Sequence, residues 1–183
     1  ISLGLVGSEM CIRDRAITDQ ALTVNTGEVS VSTARALSGT TTGTVTGTIT
    51  SGTTIAAMLH SSSGLIDGET DAYTITIAAG DAEATATNLT ALYGKTSVAV
   101  DASAVTQITG TVAEANIVYG AGSSQITGLG NEAVVTTESS LADVTALNTL
   151  DGNTTGTVNT ATITSITGTP VSYTHLRAHE TQR

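Results

Sequence analysis

His175 and His179 stand four residues apart in "YTHLRAHETQR" (173–183), a spacing that on a helix places two imidazoles on one face, as a zinc site requires. Elsewhere the side chains that do chemistry are sparse. His60 precedes three serines in "MLHSSSG", so a base adjoins a nucleophile in sequence. A triad also needs an orienting acid, and adjacency in sequence is not geometry, so a surface histidine near a helix end is expected. "GLGNEA" (128–133) matches G-x-G-x-x-A but leads into the β-like "AVVTT" rather than a helix. No helix N-terminus would receive a phosphate there, and a turn is expected. "LIDGETDAY" holds Asp67, Glu69 and Asp71 at alternate positions, a spacing that gathers carboxylate oxygens around Ca²⁺ in a tight Gly turn. It is neither an EF-hand loop nor the glycine-rich nonapeptide of calcium-binding β-rolls, and a solvated turn is the other reading. Calcium on these three residues is the only cofactor the sequence suggests.

The elements that must position such groups are built from small side chains. The 183 residues include no Phe, no Trp and one Pro, and the 39% hydrophobic content is Ala, Val, Ile and Leu diluted by Thr, Gly and Ser. Small side chains make thin cores, which suit stacked repeats better than a globule built around aromatics. A formal charge of −10 opposes binding to nucleic-acid phosphates or an anionic membrane, both of which need clustered Lys or Arg. No apolar run approaches the roughly 20 residues of a membrane span. "ISLGLVGSEMC" lacks the basic start and small-residue cleavage site of a signal peptide, so any secretion signal is expected outside this sequence.

The two ends differ from the middle. Arg13, Arg15, Arg177 and Arg183 leave only Arg35 and Lys95 between them, and Cys11, His175 and His179 are terminal too. "LVGSEMCIRD" (5–14) reads back to CTC GTG GGC TCG GAG ATG TGT ATA AGA GAC, which resembles the transposase mosaic-end adapter of sequencing libraries. The reverse complement of that DNA translates as "VSYTHLRAHE", residues 171–180. Residues 1–15 and 171–183 therefore resemble translated adapter at both ends of an insert, and the spacing of His175 and His179 then carries no metal. The remaining 16–170 hold 2 basic and 13 acidic residues, a net charge of −11, with no Cys and His60 alone.

Within 16–170 three stretches align: from Ala21 through "ALSGTTTGTV", from Ala72 through "ALYGKTSVAV", and from Ala133 through "ALNTLDGNTTGTV". The pairs Ala36-Leu37, Ala91-Leu92 and Ala146-Leu147 recur every 55 residues, and "VTQITGTVAEANIVYG" (105–120) has a truncated counterpart in "ITSITGTP" (163–170). The unit thus holds two dissimilar halves. Tyr73, Ile75 and Ile77 alternate with Thr74 and Thr76, as on a half-buried strand. Leu141, Val144, Leu147 and Leu150 fall three apart, which predicts a helix with Ser139 or Ser140 as N-cap and Asp143 in its first turn. Gly94 and Gly152 follow as stop signals. The expected fold is an α/β repeat solenoid of parallel strands and short helices, one about every 25–30 residues; an all-β solenoid or β-sandwich stalk modules are the alternative. In "TTTGTVTGTIT" (40–50), Thr44, Thr46, Thr48 and Thr50 would form a hydroxyl row like that of ice-binding solenoids, but "SVAVDAS" (97–103) breaks it.

"LNTLDGNTTGTV" (147–158), "ITGT" (108–111) and "ITGLGNEAV" (126–134) resemble the Thr/Gly/Ala-rich repeat regions of very large secreted or surface proteins of marine bacteria, over most of 20–170. That resemblance implies a non-enzymatic structural segment of an adhesin or matrix protein, extracellular or on the cell surface, whose partners are neighbouring repeats of the parent chain. The alternative is a calcium- or glycan-binding module. Nucleic acid and membrane insertion are not expected.

Overall fold

The computed structural model describes residues 19–66, 71–141 and 143–167. The termini that resemble adapter, with Cys11, His175 and His179, lie outside the described residues, as do Asp67 and Glu69. The alternating apolar runs become short strands: β1 (Leu22–Val29), β2 (Val45–Ile49), β3 (Ala72–Thr74), β4 (Glu83–Thr85), β5 (Val100–Asp101), β6 (Gln107–Gly110), β7 (Ile126–Thr127), β8 (Ala133–Thr136), β9 (Ser140–Leu141), β10 (Val158–Asn159) and β11 (Ser165–Ile166). Between them lie five helices, α1 (Val31–Ser38), α2 (Ile55–Met58), α3 (Ala86–Tyr93), α4 (Val112–Gln125) and α5 (Val144–Asn153).

Every strand pair among the described residues is parallel. The ladders run β1-β2-β3, β4-β6-β8-β10, β5-β7 and β9-β11, and a bridge from Thr76 to Asp101 links β3 to β5. Partners lie about one helix-bearing loop apart in sequence, as parallel pairing requires. Their register stacks like on like. Ala84 pairs with Ile108, Ile108 with Val134 and Val134 with Val158, so one apolar column passes through four strands. Val29 with Ile49 and Val100 with Ile126 form the same kind of inward pair. Tyr73, Ile75 and Ile77 are buried at 1%, 1% and 2% exposure while Thr74 and Thr76 face out, as their alternation predicts.

Each helix closes a loop back onto these ladders and is started by a polar side chain. Ser30, Thr54 and Thr85 accept the amides of Thr33, Ala57 and Asn88. At α4 the Thr111 hydroxyl accepts the Glu114 amide while Glu114 accepts that of Thr111, a reciprocal capping box. The inward faces are Ala34 on α1, Ile55 and Met58 on α2, Ala86, Leu89 and Leu92 on α3, and Val144, Leu147 and Leu150 on α5. Burying each such Leu contributes roughly 1.5–3 kcal/mol. Neighbouring helices touch in the order α2, α3, α4, α5. Ala36-Leu37, Ala91-Leu92 and Ala146-Leu147 fall on α1, α3 and α5, so the 55-residue spacing skips every second helix.

The mixed α/β architecture with parallel sheets and short helices replaces the all-β alternative. The start of α5 also differs from expectation. Ser140 and Leu141 pair with Ser165 and Ile166 as β9, so the helix begins at Val144, and Asp143, not a serine, is the N-cap, accepting the Thr145 amide at 2.8 Å. Gly94 caps α3, whereas Gly152 lies inside α5 and Thr154 is its C-cap.

Candidate functional site

The groups that stand out chemically are the carboxylates, and most of them accept a backbone N–H. Asp71 is 3% exposed; its Oδ2 accepts the Ser38 hydroxyl at 2.7 Å and its Oδ1 the Val45 amide at 2.9 Å. Asp81 accepts the Ile55 amide at 2.7 Å, and Glu138 accepts that of Val112 at 2.7 Å. These three share one geometry. The acceptor lies 26 residues after the donor, on the following strand–helix coil. Ile55 and Val112 are the first residues of α2 and α4, so the next coil supplies a negative cap to each of those helix starts.

Other carboxylates act within a coil. Glu132 is fully buried, and its two oxygens accept the Gly130 amide at 2.9 and 2.8 Å and the Tyr119 hydroxyl at 3.0 Å. Asp101 accepts the Ser103 amide at 3.0 Å, which holds its carboxyl below the usual range. Glu114 is lowered in the same way, by the amide and then the hydroxyl of Thr111. Burial pushes the Tyr73 hydroxyl up, and the Asp71 carboxylate beside it adds to the effect; Tyr119 beside Glu132 is raised for the same two reasons. Neither phenol is poised to act as an acid or base near neutral pH.

A second set of polar groups repeats along the chain. Thr41, Thr96 and Thr154 each donate a hydroxyl to a carbonyl of the preceding coil, those of Gln20 (2.6 Å), Tyr73 (2.8 Å) and Glu132 (2.7 Å). Each also accepts the amide two residues on, from Gly43, Val98 and Gly156. Gly43 and Gly156 permit this approach: a Cβ on Gly43 would stand 2.5 Å from the Gln20 carbonyl, and one on Gly156 would overlap the Glu132 carbonyl. The sequence signal is G-x-T-x-[GV]-x-V at 39–45, 94–100 and 152–158, in phase with the Ala-Leu pairs.

Of the residues with calcium-ligand spacing, Asp71 faces inward with both oxygens hydrogen-bonded to protein, and Asp67 and Glu69 lie outside the described residues. Among the described residues no group of three or more His, Cys, Asp or Glu is placed to hold a metal ion. The hydrogen bonds of the His60 ring go to Ser62 and Ser63, the shortest being 2.9 Å from Nδ1 to the Ser63 hydroxyl. All three residues are exposed and lie within three positions, so this is a closed local turn. "GLGNEA" is likewise a turn, with Gly128 and Gly130 at φ +84° and +130°, entering β8 as expected. Thr46, Thr48 and Thr50 point outward, but Thr46 pairs with Ala72, and Glu28 and Asp101 sit beside the row.

This chain matches no protein-family model, no curated protein and no solved structure. Among the described residues, no helix is long and apolar enough to cross a membrane. The polar chemistry of the molecule is accounted for by bonds that fasten one coil to the next.

Proposed function

We propose that residues 16–170 are a non-enzymatic structural segment, a stretch of α/β solenoid from a larger secreted or cell-surface adhesin or matrix protein, whose partners are further repeats of the same chain. The observation that carries the reading is the register of the parallel ladders, which stacks Ala84, Ile108, Val134 and Val158 in one column. The Thr41, Thr96 and Thr154 bonds between coils support it, because each repeats the same contact one unit on. In such a stack each unit contacts its neighbours alone, and length is added without changing the core.

Small-angle scattering on chains with one, two or three extra copies of residues 86–143 inserted before Val144 tests the reading. Each copy contributes two coils, so the maximum dimension is expected to grow by about 10 Å per copy at the ~4.8 Å spacing of neighbouring strands. Growth of the radius of gyration as the ~0.38 power of chain length, as for a compact globule, would refute it.

A further inference from the structure

The last coil leaves apolar groups partly open whose counterparts elsewhere are closed. Val158, Ile163 and Ile166 lie 58 residues after Val100, Val105 and Ile108. The earlier three are 1%, 3% and 0% exposed, while the later three are only partly buried. What covers the earlier set is on the page: α4 follows β6 directly, then β7 pairs with Val100 and β8 with Ile108. Resting on the repeat-array reading above, we infer that the end formed by α5, β10 and β11 is a docking surface for one further coil of the α4 kind, and not of the α3 kind.

Three features select that occupant. "ITSITGTP" aligns with "VTQITGTV", which puts Thr169 and Pro170 at the positions of Thr111 and Val112, the N-cap and first residue of α4. Proline is favoured at a first helical position. In α4, Glu114 accepts the Thr87 hydroxyl of α3 at 3.3 Å, and Thr145, exposed on α5, lies 58 residues after Thr87 and offers the same group to an incoming Glu. Asn116 of α4 donates to the Ala146 carbonyl of α5 at 2.8 Å, whereas α3 presents no asparagine at the corresponding place, where Thr90 stands. Helices of the α2 and α4 kind also carry the first-residue cap from 26 residues on, which a coil ending in a Glu138 counterpart would complete.

The test uses the full chain with residues 171–183 replaced by the chain's own 113–143, compared with replacement by 87–111 and by a scrambled 113–143. Thermal unfolding and amide exchange at β10 and β11 are the readouts. The 113–143 chain is expected to melt at least about 5 °C higher, from the apolar surface it closes, with slower exchange at Val158 and Ile166. The other two should show neither change. Equal gains from 113–143 and 87–111 overturn the choice of occupant while leaving the array reading intact. A gain from none, or as much from the scramble, overturns both. If the extended chain precipitates, a 113–143 peptide added to the full-length protein gives the second measurement, and unaltered exchange at β10 and β11 overturns the inference.

Discussion

Replacing Thr96 by Val should be far costlier than replacing it by Ser, although Val keeps the shape and Ser loses a methyl group. The Thr96 hydroxyl is 7% exposed, donates to the Tyr73 carbonyl at 2.8 Å and accepts the Val98 amide at 3.1 Å. Thr96→Val removes both bonds and leaves the carbonyl and the amide facing an apolar surface. Each such unsatisfied group costs about 1–3 kcal/mol, and the Val98 amide, only half-buried, belongs at the low end, so a total of about 2–3 kcal/mol is expected. Thr96→Ser keeps both bonds and loses about 0.8 kcal/mol of methyl burial. The difference of about 1.5 kcal/mol is readable in urea unfolding as a shift of midpoint at unchanged slope. Thr96→Val within about 0.5 kcal/mol of the parent, or no worse than Thr96→Ser, would refute the claim that these hydroxyls fasten the coils.

Further outcomes follow from the same contacts. Asp81→Ala and Glu138→Ala should each destabilise by about 1–2 kcal/mol by uncapping the first amide of α2 and α4, with Glu138→Gln intermediate, read by chemical unfolding. Gly43→Ala should cost about 1–3 kcal/mol or prevent folding, since the new Cβ meets the Gln20 backbone, while Gly80→Ala, where a Cβ meets nothing, should lie within about 0.5 kcal/mol; circular dichroism melts compare the two. Asp101 and Glu114 have folded-state values below their unfolded ones, so their contribution is present above the ordinary carboxylate range and is lost as pH falls through the depressed values. The urea midpoint should therefore fall on acidification from neutral pH, and Asp101→Asn with Glu114→Gln should flatten that fall.

Much of the backbone plan was legible because it depends on local pattern. Alternation at 73–77 marked an inward strand face, and the Ala-Leu pairs marked three helices one unit apart. The start of α5 was misread because Ser139, Ser140 and Asp143 are all good N-caps; only pairing of Ser140 and Leu141 with residues 25 positions on decides among them. The carboxylates were misweighted for a similar reason. An Asp in a Gly-rich turn looks the same whether it is solvated, bound to an ion or accepting an amide, and the amide that Asp71 accepts lies 26 residues away. Thr41, Thr96 and Thr154 were visible as a repeated motif, but their partners are carbonyls, which carry no residue signature.

The amide-bound carboxylates have a consequence for the medium in which the chain works. A net charge of −10 makes an acidic protein repel itself, and dissolved salt screens that repulsion over roughly 8–10 Å. The bonds from Asp71, Asp81, Glu132 and Glu138 to N–H groups act at 2.7–2.9 Å against neutral dipoles, inside the distance at which ions intervene. Brine would thus relieve the unfavourable part of the electrostatics and leave the favourable part in place.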